Sequence, residues 1–226
     1  MSVKENIREF QEQLEGKNCQ LVAVSKTKPA EMIKEAYDAG QRDFGENKVQ
    51  ELREKPGKLP ANIRWHMIGH LQTNKVKYIA PFIHLIHAVD SLKLLREINK
   101  QAAKNNRSIN CLLQIHIAAE EHKFGLSKAE LNDLLCSAAI RALANIKIVG
   151  LMGMATYTDD ENQIRNEFQT LKQIFDAVKE NHQASNIDMQ EISMGMSDDY
   201  LIAMEEGSTM IRVGSKIFGA RVYLNK

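Results

Sequence analysis

The chain has 226 residues, 43% of them apolar and 26% charged, enough to bury a substantial core without staples. Its 30 basic and 29 acidic side chains are interspersed and leave a formal charge of +1, which argues against nucleic acid or an anionic membrane as a partner. No apolar run approaches a membrane span, the N-terminus is polar, and Cys19, Cys111 and Cys136 are odd in number without CxxC spacing, so the expected setting is the cytoplasm with reduced thiols.

Residues 2–16 carry Val3, Ile7, Phe10 and Leu14 at helical spacing and end at Gly16. Leu21-Val22-Ala23-Val24 then reads as a strand buried on both faces, about 20–25, with Lys26 at its carboxyl end. Pro29 to Ala39 reads as a helix, Arg42-Asp43-Phe44 as a brief strand, and a polar helix is expected to about Glu54, before Pro56-Gly57. The third strand is 63–68, leading into Gly69-His70, and a helix is expected from Thr73 to about Ala80. Residues 83–89 form the fourth strand, with Asp90 or Ser91 capping the helix of Leu92, Leu95 and Ile98.

Strand five is placed at 110–117. Ser127 and Glu130 then form a capping box for a helix whose face is Leu131, Leu134, Leu135 and Ala138. Strand six is 146–152, and Thr158 with Glu161 suggests a second capping box. Ile164, Phe168, Leu171, Ile174, Phe175 and Val178 then trace the longest apolar stripe in the chain. Strand seven is 189–193, Ser197-Asp198-Asp199 opens a helix to about Glu206, and strand eight is 209–213.

Eight strands alternating with helices, without linker or composition shift, predict one α/β domain over residues 1–226. The expected fold is a single (β/α)8 TIM-type barrel with an extra N-terminal helix. An open doubly wound sheet is the alternative, and eight consecutive units favour closure.

In such a barrel the strand ends face one mouth, which would gather Lys26, Asn47, His70, Met154, Ser193 and the Arg212-Val213-Gly214-Ser215 group. The loops after strands seven and eight are the recurrent phosphate site of the fold, and here they hold Ser193-Met-Gly-Met-Ser197 and Gly214-Ser215-Lys216. Strand one closes against strand eight, so Lys26 would stand beside that phosphate, suiting a phosphorylated aldehyde that condenses with an amine. Taken singly, each residue has a plainer explanation: a solvated lysine, a tight turn at Gly214, a helix cap at Ser197. Arg212 resists one, because a guanidinium inside an apolar strand needs a partner. His66, His84, His87 and His116 lie within strands, where interior or helix contact is expected, and no zinc spacing, Walker sequence, GxGxxG or nucleophile elbow is present. No metal is expected.

The chain resembles the pyridoxal-phosphate-binding homeostasis proteins, single-domain relatives of the alanine racemase barrel. The resemblance runs through Leu-Val-Ala-Val-Ser-Lys-Thr-Lys-Pro (21–29), Phe-Gly-Glu-Asn-Lys-Val-Gln-Glu (44–51) and Trp-His-Met-Ile-Gly-His-Leu-Gln-Thr-Asn-Lys (65–75). It continues through Gly-Leu-Met (150–152), Ser-Met-Gly-Met-Ser-Asp-Asp (193–199) and the segment 207–221. The resemblance implies that Lys26 binds pyridoxal 5′-phosphate (PLP) covalently as a Schiff base. Ser193, with backbone N–H groups around Gly214 and Ser215, would hold the phosphate. Arg212 would face the pyridine nitrogen, Asn47 would line the ring, and His70 would stand near the mouth. Lys48 stands where the family commonly has Tyr, and Met152-Gly-Met-Ala replaces the usual Met-Thr-Ile/Met-Ala.

A lysine of ordinary pKa, about 10.4, must lose a proton to attack an aldehyde, and partial burial beside Arg212 is expected to lower that value. An arginine at the pyridine nitrogen disfavours ring protonation and weakens the electron sink. The resemblance therefore implies a PLP carrier in vitamin B6 and amino-acid homeostasis, with no catalytic residue assigned, delivering PLP to PLP-dependent apoenzymes. The competing expectation is an amino-acid racemase with Lys26 as one base and a residue such as His70 as the other. A monomer is expected, because the second, β-rich domain of alanine-racemase-like enzymes does not appear.

Overall fold

Ser2 caps the first helix: its hydroxyl accepts the Glu5 N–H while the Glu5 carboxylate accepts the Ser2 N–H. The computed structural model describes residues 2–120 and 124–220. Helix α1 (Val3–Leu14) follows that cap and buries Val3, Ile7 and Phe10. Eight parallel strands come next: β1 (Gln20–Val24), β2 (Asp43–Glu46), β3 (Arg64–Met67), β4 (Leu85–Val89), β5 (Ile109–Gln114), β6 (Ile146–Met152), β7 (Ile187–Ser193) and β8 (Met210–Val213). They pair in sequence order, and β8 pairs with β1 through Gln20↔Met210 and Val22↔Arg212, which closes the barrel and excludes an open sheet.

The helices between strands are α2 (Ala30–Asp38), α3 (Val49–Glu54), α4 (Leu92–Lys104), α5 (Lys128–Cys136), α6 (Ala138–Arg141), α7 (Glu161–Asn181), α8 (Tyr200–Glu205) and, after β8, α9 (Ser215–Phe218). Helix α7 buries the expected stripe from Ile164 to Val178 against the sheet. Most apolar burial lies in this layer between strands and helices. A smaller cluster of Val22, Leu85, Ala88, Leu112, Met152 and Met210 fills part of the barrel interior.

Several local expectations are corrected. The segment after β3 is a 3₁₀ turn (Thr73–Tyr78), not an α-helix. Strand five stops at Gln114 because Ile115 already bridges to Leu126 in the returning loop. Asp160, not Thr158, caps α7, accepting the N–H groups of Asn162 and Gln163. Helix α5 ends at Cys136, and Ala138, expected on its buried face, is exposed at the start of α6. The Ser127 and Glu130 capping box and the Ser91 cap form as expected. Arg221, the last residue of the sixth matching segment, lies outside the described residues.

Candidate functional site

Strand β1 runs out at Val24, and Lys26 leaves the barrel two residues later, half-buried, at the carboxyl mouth. A cavity of about 270 Å³ opens there. Its lining brings together Lys26, Asn47, Arg212, Gly214 and Ser215, all singled out in the sequence. Met154, expected at the mouth, and Ser197, from the expected phosphate loop, line it too, with Lys28, Ile68, Tyr157, Met196 and Asp198; Ser193 and His70 do not. The closure of β1 on β8 explains the grouping: a side chain on Gly214 would meet the Val24 carbonyl oxygen at 3.1 Å and Val24 Cβ at 3.3 Å. The loop after β8 is thereby pressed against the strand end that carries Lys26.

Ser193 ends β7 fully buried, with its hydroxyl already engaged. Arg212 Nη1 donates to Ser193 Oγ at 2.6 Å, and Arg212 Nη2 donates to the Gly153 carbonyl at 3.1 Å, which supplies the partners an interior guanidinium requires. His87 Nδ1 lies 2.9 Å from the same Oγ, His87 Nε2 lies 2.9 Å from His66 Nδ1, and His66 Nε2 lies 3.0 Å from Asp43 Oδ1.

The directions in this line follow from its ends. Burial acts to raise the Asp43 carboxyl but is outweighed by hydrogen bonds from Arg64 and His66, which hold it well below the usual carboxylate range. Asp43 is therefore an acceptor only. With both rings neutral, His66 Nε2–H donates to Asp43, His87 Nε2–H donates to His66, and the Ser193 hydroxyl donates to His87, leaving Ser193 to accept from Arg212. Burial, with the Arg212 cation nearby, pushes His87 well below its ordinary value, in keeping with a neutral ring. Burial also lowers Arg212, to about 10, with Asp199 opposing; the group is still a cation at neutral pH.

Ser197, four residues on from Ser193 in the same loop, does reach the cavity. It lines the cavity and accepts the Gly214 N–H at 3.3 Å, so it is not the cap of α8, where Asp199 holds the N-cap position. The loop that carries it turns at Gly195, whose φ of +90° is open to glycine and strained for other residues, and where a Cβ would meet Ala203 Cβ at 2.5 Å. Beside it α9 begins at Ser215, and the opening N–H groups of a helix have no carbonyl within it to bond. Arginine, lysine and such N–H groups in one cavity suit a planar, phosphorylated aldehyde.

His70 stands elsewhere. Its ring stacks on Phe124 at 4.6 Å, its Nδ1 lies 3.6 Å from Asp90 Oδ2, and it lines a separate depression with Thr73, Asn74 and Ser91. Lys28 faces the cavity, but its Nζ donates to the carbonyls of Phe218, Gly219 and Ala220 at 2.9, 2.9 and 3.1 Å. Asp43, His66 and His84 offer ligand atoms within 4.8 Å of one another, yet Asp43 already accepts from Arg64, Gln20 and His66. A metal there would have to displace a guanidinium. The reading from sequence took Ser197 for a cap and missed the line of Asp43, His66 and His87; the only signal for that line was polar residues recurring in otherwise apolar strands.

The family described as "Alanine racemase, N-terminal domain" matches residues 1–222. A relative from Aquifex aeolicus named "Pyridoxal phosphate homeostasis protein" is 39% identical over 210 residues, 92% of this chain and 90% of that one. The chain belongs to the pyridoxal phosphate homeostasis protein family. Among solved structures, this family member is similar to PipY of Synechococcus elongatus with PLP bound, at 35% identity and a TM-score of 0.87, covering 96% of this chain and 100% of that one. Alanine racemase from Bartonella henselae shares the fold at a TM-score of 0.70 and 16% identity, with 97% of this chain covering 60% of that one.

Proposed function

We propose that this chain binds PLP in the Lys26 cavity, holds it as a reversible Schiff base on Lys26, and serves in PLP (vitamin B6) and amino-acid homeostasis as a carrier. The observation that carries the reading is that Lys26, Arg212 and the Ser197, Gly214 and Ser215 cluster line one cavity. The 35% identical PipY structure with PLP bound supports the choice of ligand. The donor set fits it: an amine for the aldehyde, a buried guanidinium in the cavity wall for the pyridine nitrogen, and peptide N–H groups with Ser197 for the phosphate. Asn47 flanks the ring. Bound PLP supplies an aldehyde that a neutral amine can attack; the Lys26 lone pair adds to the carbonyl carbon, and the oxygen leaves as water with the two amine protons.

As a carrier, the chain would act as one domain and as a monomer in the cytoplasm, releasing PLP to PLP-dependent apoenzymes. No helix among the described residues is long and apolar enough to cross a membrane. The racemase reading needs a second base facing Lys26, and His70, the residue named for it, lines a different depression. Incubation with PLP should give visible absorbance, and borohydride reduction should fix a phosphopyridoxyl group on the peptide containing Lys26, both lost in Lys26→Ala. A colourless protein with an unmodified peptide overturns the proposal. Turnover of L- or D-amino acids by the loaded protein, lost in Lys26→Ala, overturns the carrier reading in favour of the racemase.

A further inference from the structure

The two peptide groups joined to the Lys26 Cα are both held by one buried ionic cluster. Lys55, just past α3, donates from Nζ to the Ser25 carbonyl at 2.9 Å, to Glu46 Oε1 at 2.7 Å and to Glu51 Oε2 at 2.6 Å, which uses all three ammonium hydrogens. Glu46 Oε1 also accepts the Ser25 hydroxyl at 2.6 Å, and Glu51 Oε2 accepts the Thr27 N–H at 2.8 Å. The peptide before Lys26 is therefore fixed through its carbonyl, and the peptide after it through its N–H. Thr27 sits at φ +65°, a left-handed conformation that a β-branched residue avoids unless its surroundings impose it.

Packing alone does not account for this arrangement. Lys55 is a buried cation and Glu46 a buried carboxyl, and such groups taken out of water hold strands together no better than apolar residues of similar size. Glu46 keeps its second oxygen, Oε2, buried without a hydrogen-bond partner among the described residues. None of Ser25, Thr27, Glu46, Glu51 and Lys55 lines the cavity, so none can act by touching a ligand there. What the cluster does reach is the backbone on both sides of the one lysine at the strand end.

We infer that Lys55, bridged to Glu46 and Glu51, is a positioning residue for Lys26: it fixes the direction in which the Lys26 side chain leaves β1, so that the amine meets an aldehyde already docked in the cavity. The inference rests on the PLP reading above and deepens it. It separates two steps, docking of ring and phosphate, which the cluster leaves alone, and condensation with Lys26, which it governs.

The test compares the wild-type chain with Lys55→Met. The rate of Schiff-base formation with PLP is followed by stopped-flow visible absorbance. Docking alone is read as the affinity for 4-deoxypyridoxine 5′-phosphate, which has a methyl group in place of the aldehyde. The expected result is condensation slowed at least about tenfold, with affinity for the deoxy compound within about twofold of wild type. Condensation within about twofold of wild type overturns the inference, and so does a parallel loss of docking and condensation, which would mark a general disturbance of the pocket. Where Lys55→Met does not fold, Glu51→Ala at a half-buried helical position removes the Thr27 acceptor and is judged by the same criteria. Failure of the wild-type chain to take up PLP would instead overturn the underlying reading of function.

Discussion

Arg212 donates to Ser193 Oγ at 2.6 Å, and this bond assigns both residues. Ser193 Oγ accepts from the guanidinium and lies 2.9 Å from His87 Nδ1, so its hydroxyl is engaged by interior side chains rather than facing the cavity. Arg212 is in turn held in place from beneath by a line that ends on the carboxylate of Asp43.

Ser193→Ala and Ser197→Ala should therefore behave differently. The first leaves the Arg212 and His87 nitrogens unpaired in a buried site, and the expected cost is about 1–3 kcal/mol of stability. The second removes a hydroxyl from the cavity wall and should weaken PLP binding about tenfold, roughly 1.4 kcal/mol, with little change in melting temperature. Thermal melts and PLP titrations of the two variants check this. A larger loss of PLP affinity in Ser193→Ala than in Ser197→Ala would return the phosphate role to Ser193.

The barrel was legible in the sequence because most strands are short apolar runs, with β2 (Asp-Phe-Gly-Glu) and β3 (Arg-Trp-His-Met) the exceptions, and many helix ends are marked by a cap, Gly or Pro. Lys26 and Arg212 were legible for a related reason: a charged residue ending or interrupting an apolar strand is a local anomaly. The line through the interior was not, because Asp43, His66, His87 and Ser193 come from four strands, and only the register Asp43↔Arg64 and Gly45↔His66 brings the first of them together. Ser197 was misjudged for the opposite reason. Local pattern favoured a cap, and the contact that overrides it comes from Gly214, 17 residues away.

Lys28 lines the cavity beside Lys26 and is a competing amine in principle. Its three bonds to the carbonyls at the end of α9 fill its donors and fix the strand-one end to the segment after β8. Borohydride-trapped PLP should map to the Lys26 position and leave Lys28 unmodified. Lys28→Met should lose about 1 kcal/mol of stability while keeping the visible absorbance of the bound aldehyde. Label recovered on Lys28 in the wild-type chain would show that those carbonyls release it.

Two perturbed interior groups pull stability in opposite directions with pH. Burial, with the neighbouring Glu51, raises the Glu46 carboxyl from an ordinary 4.5 to about 8, with Lys55 and Ser25 opposing. Between those values the folded chain binds more protons than the unfolded one, so the Glu46 contribution is full below pH 4.5 and lost as pH rises through about 8. His87 has the reverse sign: its folded value lies well below 6.5, so its contribution is present above that pH and lost on acidification. Glu46→Gln should flatten the decline in stability between pH 5 and about 8, and expose the His87 limb as a rise from acid towards neutral pH. Urea unfolding from pH 5 to about 9 measures both limbs. An unchanged alkaline decline in Glu46→Gln would mean that Glu46 is ionised in the folded chain, a carboxylate held by Lys55 and Ser25 rather than a neutral acid.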